Sequence, residues 1–92
     1  MKFSHNLFII TNNMKIFTDK GITHLDLHGQ KHINVPEIVI DFVYRYQDFI
    51  PLIIICGNSN KMQSLVTNSL KKEDIIYSIK RYGIVRVEGF NG

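Results

Sequence analysis

Asp26 and His28 stand two residues apart in an alternating stretch, and a carboxylate beside an imidazole is a pair that can move protons. The acid can fix the ring's tautomer and raise its basicity, which leaves the other ring nitrogen free for acid–base work near neutral pH. Gly29 follows at once, where the chain must turn. Further on, Gly57-Asn58-Ser59-Asn60 makes a second turn ahead of a helix, and the unpaired N–H groups at a helix start attract anions. Side by side, the two turns would form a phosphate site. Asp26 and His28 are then the candidate catalytic pair, with Gly29, Lys31, Gly57, Asn58, Ser59 and Lys61 as candidate phosphate-binding residues. Each half has a plainer reading, because an Asp-x-His pair often lines a solvated strand and a glycine turn before a helix is routine. The second turn also lacks the lysine and spacing of a P-loop. What raises both is their expected proximity.

Other chemistries are less well supported. His24, Asp26 and His28 offer metal-ligand types, but alternation spreads them along a strand and no further Cys or His cluster completes a shell. No metal and no other cofactor is expected. Cys56, in an apolar run with no partner base, reads as a small buried residue rather than a nucleophile. Tyr44, Tyr46, Tyr77 and Tyr82 are able to stack on bases, although packing is the default for each.

The elements that must position these residues follow from spacing. From Ile22 to His28, Thr23, Leu25 and Leu27 face one way while His24, Asp26 and His28 face the other, as on a strand. Asn34-Val35-Pro36-Glu37 predicts a helix start, with Asn34 as cap. Val35, Ile38, Val39, Phe42, Val43 and Tyr46 then recur at helical spacing. Pro51 ends that helix, and Leu52 to Cys56 is a continuous apolar run, as expected of a central strand buried on both sides. Met62, Leu65, Val66 and Leu70 mark a second helix. Ile75 to Ile79 and Ile84 to Val87 read as closing strands around an Arg81-Tyr82-Gly83 turn. The order is βαβαββ, which predicts an α/β (α+β two-layer) domain: a mixed sheet with both helices on one face. A βαβ unit makes its strands parallel, so the turns after both strands share one edge of the sheet.

Residues 1–20 carry two strand-like pieces, Leu7 to Ile10 and Lys15 to Phe17, and are read as an arm or extra hairpin before a domain at 21–92. Ninety-two residues supply one modest core and no second domain. A hydrophobic share of 45% with 21% charged residues excludes a disordered chain. The net charge of +3 suits a polyanion partner without requiring one. A single cysteine forms no internal disulfide, which points to a reducing compartment, the cytoplasm. Phe3 to Ile10 is broken by Ser4, His5 and Asn6, so neither a signal peptide nor a membrane span is expected.

Leu25-Asp26-Leu27-His28-Gly29 resembles the signature that opens Smr (small MutS-related) domains, and Ile55-Cys56-Gly57-Asn58-Ser59 resembles their second motif. The resemblance spans about Leu25 to Val87. It implies a fold similar to the C-terminal domain of bacterial translation initiation factor three. It also implies nucleic acid as partner, with RNA favoured and the ribosome as one setting, and endonuclease activity with Asp26 and His28 as the acid and histidine. Cys56 stands where the family has His or Thr, and Ser59 where it has a second glycine; the late glycine-rich loop is reduced to Tyr82-Gly83. Two alternatives therefore stand beside an endonuclease: a module that binds RNA or a ribosomal surface without cutting, and a small protein-interaction scaffold.

Overall fold

A computed structural model describes residues 15–91. The elements are β1 (Lys15–Asp19), β2 (Ile22–Asp26), α1 (Val35–Arg45), β3 (Leu52–Ile55), α2 (Asn60–Lys72), β4 (Ile75–Arg81) and β5 (Ile84–Phe90). Short 3-10 turns at His32–Asn34 and Gln47–Phe49 flank α1. The strands form one mixed sheet in the order β1-β2-β3-β5-β4. From β2 onward this is the βαβαββ arrangement expected from the sequence, a two-layer α+β sandwich.

Strand alternation and helical spacing meet in a single core. Leu25, Leu52, Ile54, Val85 and Val87 come from one face of the sheet, and Val35, Val39, Phe42, Val43, Val66 and Leu70 cover them from the two helices. Burying such side chains stabilises the fold by roughly 1.5–3 kcal/mol each. Tyr46 packs at the margin, its ring 5.4 Å from that of Phe42.

Three local expectations are corrected. Asn34 makes no capping bond with its side chain, because the 3-10 turn before it runs straight into α1 in helical geometry. The apolar run of β3 is buried on one face only: Leu52 and Ile54 lie in the core, while Ile53 and Ile55 are half-exposed on the face opposite the helices. Among the described residues nothing covers that face. Finally, the strand-like piece is longer than Lys15 to Phe17: it extends to Asp19 and, among the described residues, pairs antiparallel with β2 at the edge of the sheet. The Lys20-Gly21 turn joining β1 to β2 has positive φ at both residues, as tight hairpin turns require. Leu7 to Ile10 lies outside the described residues.

Register organises the uncovered face into rows. Phe17, His24, Ile53, Arg86 and Ser78 are successive cross-strand partners, and Lys15, Asp26, Ile55, Ile84 and Arg81 form the next row toward one edge. In β4 the register shifts twice, between Ile76 and Tyr77 and between Ile79 and Arg81.

Candidate functional site

The parallel pairing of β2 with β3 builds the site. Asp26 lies opposite Ile55, and one further ladder bond, Leu27 N–H to the Ile55 carbonyl at 3.0 Å, carries the pairing past the end of β2. The turns that carry His28 and Gly57 therefore leave the sheet at the same edge. The β4–β5 turn reaches the same edge, since Ile84 pairs with both Ile55 and Arg81.

Asp26 does not hold the imidazole. Its Oδ1 accepts the main-chain N–H of His28 at 2.9 Å, a local turn contact of the kind Asp makes readily. This pulls the chain out of the strand after Asp26, and His28 sits exposed on the turn rather than continuing the alternation. The carboxylate thus sets where the ring is carried, and its second oxygen remains available.

The second turn is tied down on three sides. Cys56 N–H donates to the Gly83 carbonyl at 2.7 Å, and Gly83 N–H donates to Gln63 Oε1 at 2.8 Å. Gly57 and Gly83 pass so closely that a Cβ on Gly83 would stand 2.5 Å from the Gly57 carbonyl oxygen. Both have positive φ. Ser59 caps α2, its Oγ accepting from Met62 N–H at 3.0 Å. Gly57 and Asn58 are exposed beside that helix start, and Lys61 is exposed on its first turn. Ser59→Ala is expected to cost about 1 kcal/mol and Ser59→Gly only a few tenths, read as urea midpoints. No loss in Ser59→Ala would mean that the cap bond does not matter.

Asp26, His28, Gly57, Asn58 and Ser59 are thus brought to one edge. Gly29 and Lys31 line an adjoining depression of about 310 Å³ with Gln30 and Asn34, beside the approach to α1. Lys80 sits by the β4–β5 turn, on the uncovered face. Arg45 is bound to Asp41 at 3.1 Å one turn back on α1. Of the tyrosines, Tyr46 packs on Phe42 and Tyr77 against the core; Tyr44, beside Phe90, and Tyr82, on the β4–β5 turn, are exposed.

Among the described residues no three His, Cys, Asp or Glu side chains converge as a metal would need. His24 stacks on Phe17 across the β1–β2 pair instead, with its Nδ1 hydrogen-bonded to the Ile22 carbonyl at 2.9 Å. Burial pushes the Cys56 thiol up from 9.0 to about 11, so it stays protonated and a poor nucleophile at neutral pH. Between pH 9 and 11 the unfolded chain would lose this proton while the folded chain keeps it, so stability falls as pH rises through that window. By pH 11 the loss is roughly 2–3 kcal/mol. Urea melts of the parent and Cys56→Ala should accordingly converge from pH 8 to 10.5; parallel pH profiles would refute this.

Gly83, Gln63 and Phe17 belong to this region and were not singled out from the sequence. Only the turn at Gly83 had a local signal. No protein-family model, curated protein or solved structure matches the chain.

Proposed function

We propose that this chain is a nucleic-acid-binding domain that cleaves RNA at the edge where β2 and β3 end, the activity implied by its resemblance to Smr domains. The observation that supports the reading is the in-register β2–β3 pairing, which brings the main chain leading into His28 and the chain leading into the Gly57-Asn58 turn to the same edge of the sheet. A phosphodiester resting on the main-chain N–H groups of that turn would lie within reach of His28.

Histidine is the side chain most often used for general acid–base work. His28 would take the proton of the 2′-hydroxyl as its oxygen attacks phosphorus. The 5′-oxygen of the next nucleotide leaves and takes a proton from water, giving a cyclic phosphate and a 5′-hydroxyl, and His28 then returns its proton to solvent. N–H donors at Asn58 and Ser59 would stabilise the charge gathering on the phosphoryl oxygens, with Gly29, Lys31 and Lys61 holding the flanking backbone. Such a route needs the 2′-hydroxyl. A reducing setting, the cytoplasm, fits the lone buried thiol of Cys56, and among the described residues no helix is long and apolar enough to cross a membrane.

One observation favours a second reading, a module that binds RNA, free or on the ribosome, and does not cut it. Asp26 engages the main chain of His28 and leaves the ring without its orienting acid. The deciding experiment incubates purified protein with labelled single-stranded RNA, duplex RNA and DNA, with divalent metal and with chelator. Cleavage of RNA to cyclic-phosphate ends in chelator supports the nuclease. Binding that weakens with salt, without cleavage, supports the module, because neutralising phosphates releases counterions. Absence of both sinks the two readings together.

A further inference from the structure

The uncovered face of the sheet leads directly to this edge and has the composition of a surface for unpaired bases. At its β1–β2 end, Phe17 and His24 are cross-strand partners whose rings stack at 5.0 Å with an 18° angle between planes. Phe17 is 43% exposed among the described residues, although one face of its ring rests on His24. Ile53, Ile55 and Ile84 form an apolar floor beside this pair, and Lys80 and Arg81 close the far end of a depression of about 370 Å³.

Charges of both signs lie on this surface: Lys15 and Asp19 on β1 and Asp26 on β2, whereas Lys80, Arg81 and Arg86 gather on β4 and β5. Glu88, the acid nearest Arg86, lies 3.9 Å away and accepts the Ser78 hydroxyl at 2.6 Å, while the buried Nε of Arg86 has no hydrogen-bond partner among the described residues. The cationic end is thus only loosely neutralised. An aromatic platform, an apolar floor and a basic rim in sequence match what a single strand needs: bases stack on the rings while phosphates follow the positive side. A duplex keeps its bases stacked inside and cannot use the Phe17 ring in this way.

We infer that single-stranded RNA lies across the uncovered face, with a base on the Phe17–His24 pair and the backbone running along Lys80 and Arg81 toward His28. This rests on the proposed nucleic-acid reading and names its substrate class.

The test uses the full chain carrying His28→Ala, so that binding is measured without cleavage, and a fluorescein-labelled single-stranded RNA of about ten nucleotides. Anisotropy titrations at several salt concentrations compare this chain with versions that also carry Phe17→Ala, Phe17→Tyr or Lys80→Ala with Arg81→Ala. Phe17→Ala should weaken binding roughly 5- to 150-fold and Phe17→Tyr should retain it. The double substitution should reduce the salt slope by roughly 0.7 for each phosphate no longer neutralised. A urea melt of each variant distinguishes weakened binding from unfolding. Binding unchanged in Phe17→Ala and in the double variant, or a duplex of the same length bound more tightly than the single strand, overturns this inference and leaves the edge site standing. No binding of either RNA at low salt overturns both.

Discussion

If the proposed activity holds, His28→Ala is expected to leave the fold and most RNA binding in place and to slow RNA cleavage by roughly 10²- to 10⁴-fold, the usual loss when an acid–base group is removed. The fold is spared because the residue is exposed on a turn whose contact runs from its main-chain N–H to Asp26, and alanine keeps that N–H. Asp26 separates two roles. If its carboxylate serves chiefly to shape the turn, Asp26→Asn retains most activity, since an amide oxygen can accept the same N–H, while Asp26→Ala loses it. If instead its negative charge acts on the ring, Asn and Ala are equally damaging. Cleavage rates measured at saturating RNA, with a 2′-deoxy substitution at the cut site as control, read all of this. Equal cutting of the deoxy substrate, or a His28→Ala enzyme within a few-fold of the parent, would remove His28 from the chemistry.

Gly83→Ala is expected to destabilise the protein by roughly 2–5 kcal/mol. Two costs add: an L-residue in the left-handed region loses about 1–2 kcal/mol, and forcing the overlap apart moves packed backbone at about 1–3 kcal/mol. The overlap is with the Gly57 carbonyl, which has no side-chain freedom to yield. Gly21 supplies the control. Its φ of 80° resembles the 84° of Gly83, but nothing lies within 4 Å of a Cβ built there. Gly21→Ala should show the conformational cost alone, and the difference between the two urea midpoints isolates the close approach. Equal losses would mean that the approach of the turns is relaxed in solution. The same substitution should also disturb the edge site, because the Gly83 main chain is bonded to Cys56 on one side and Gln63 on the other.

Much of this molecule is written in short-range spacing. The i, i+3, i+4 recurrence from Val35 to Val43 gives α1 its buried stripe, and alternation around Leu25 gives the inward face of β2. Those patterns depend on helix and strand geometry alone. The shared edge of Asp26, His28 and Gly57 also follows, because a βαβ crossover leaves little choice of direction. The rest depends on partners distant in sequence. Gln63 meets Gly83 across twenty residues, and nothing near either one announces it. The uncovered side of β3 is concealed in the sequence for a different reason: isoleucine suits both a buried position and a half-exposed pleat, so Leu52 to Ile55 reads the same for one covered face as for two. The Asp26 carboxylate had two donors within reach, ring and main chain, and residue types alone do not choose between them.

The two register shifts in β4 affect what the sheet can join. β4 is an outer strand, and Ile76 and Ile79 are both about half exposed along it, which in a straight strand would make a ready template for another chain. Each irregularity turns the outward N–H and C=O groups out of line and sharpens the local twist. Only Tyr77 to Ile79 lies between them in regular pairing, too short a stretch for an incoming strand to hold its alignment, and Lys80 and Arg81 follow immediately with positive charge. The sheet is thus bordered on the β4 side by a margin that resists being extended by a second copy of the same sheet.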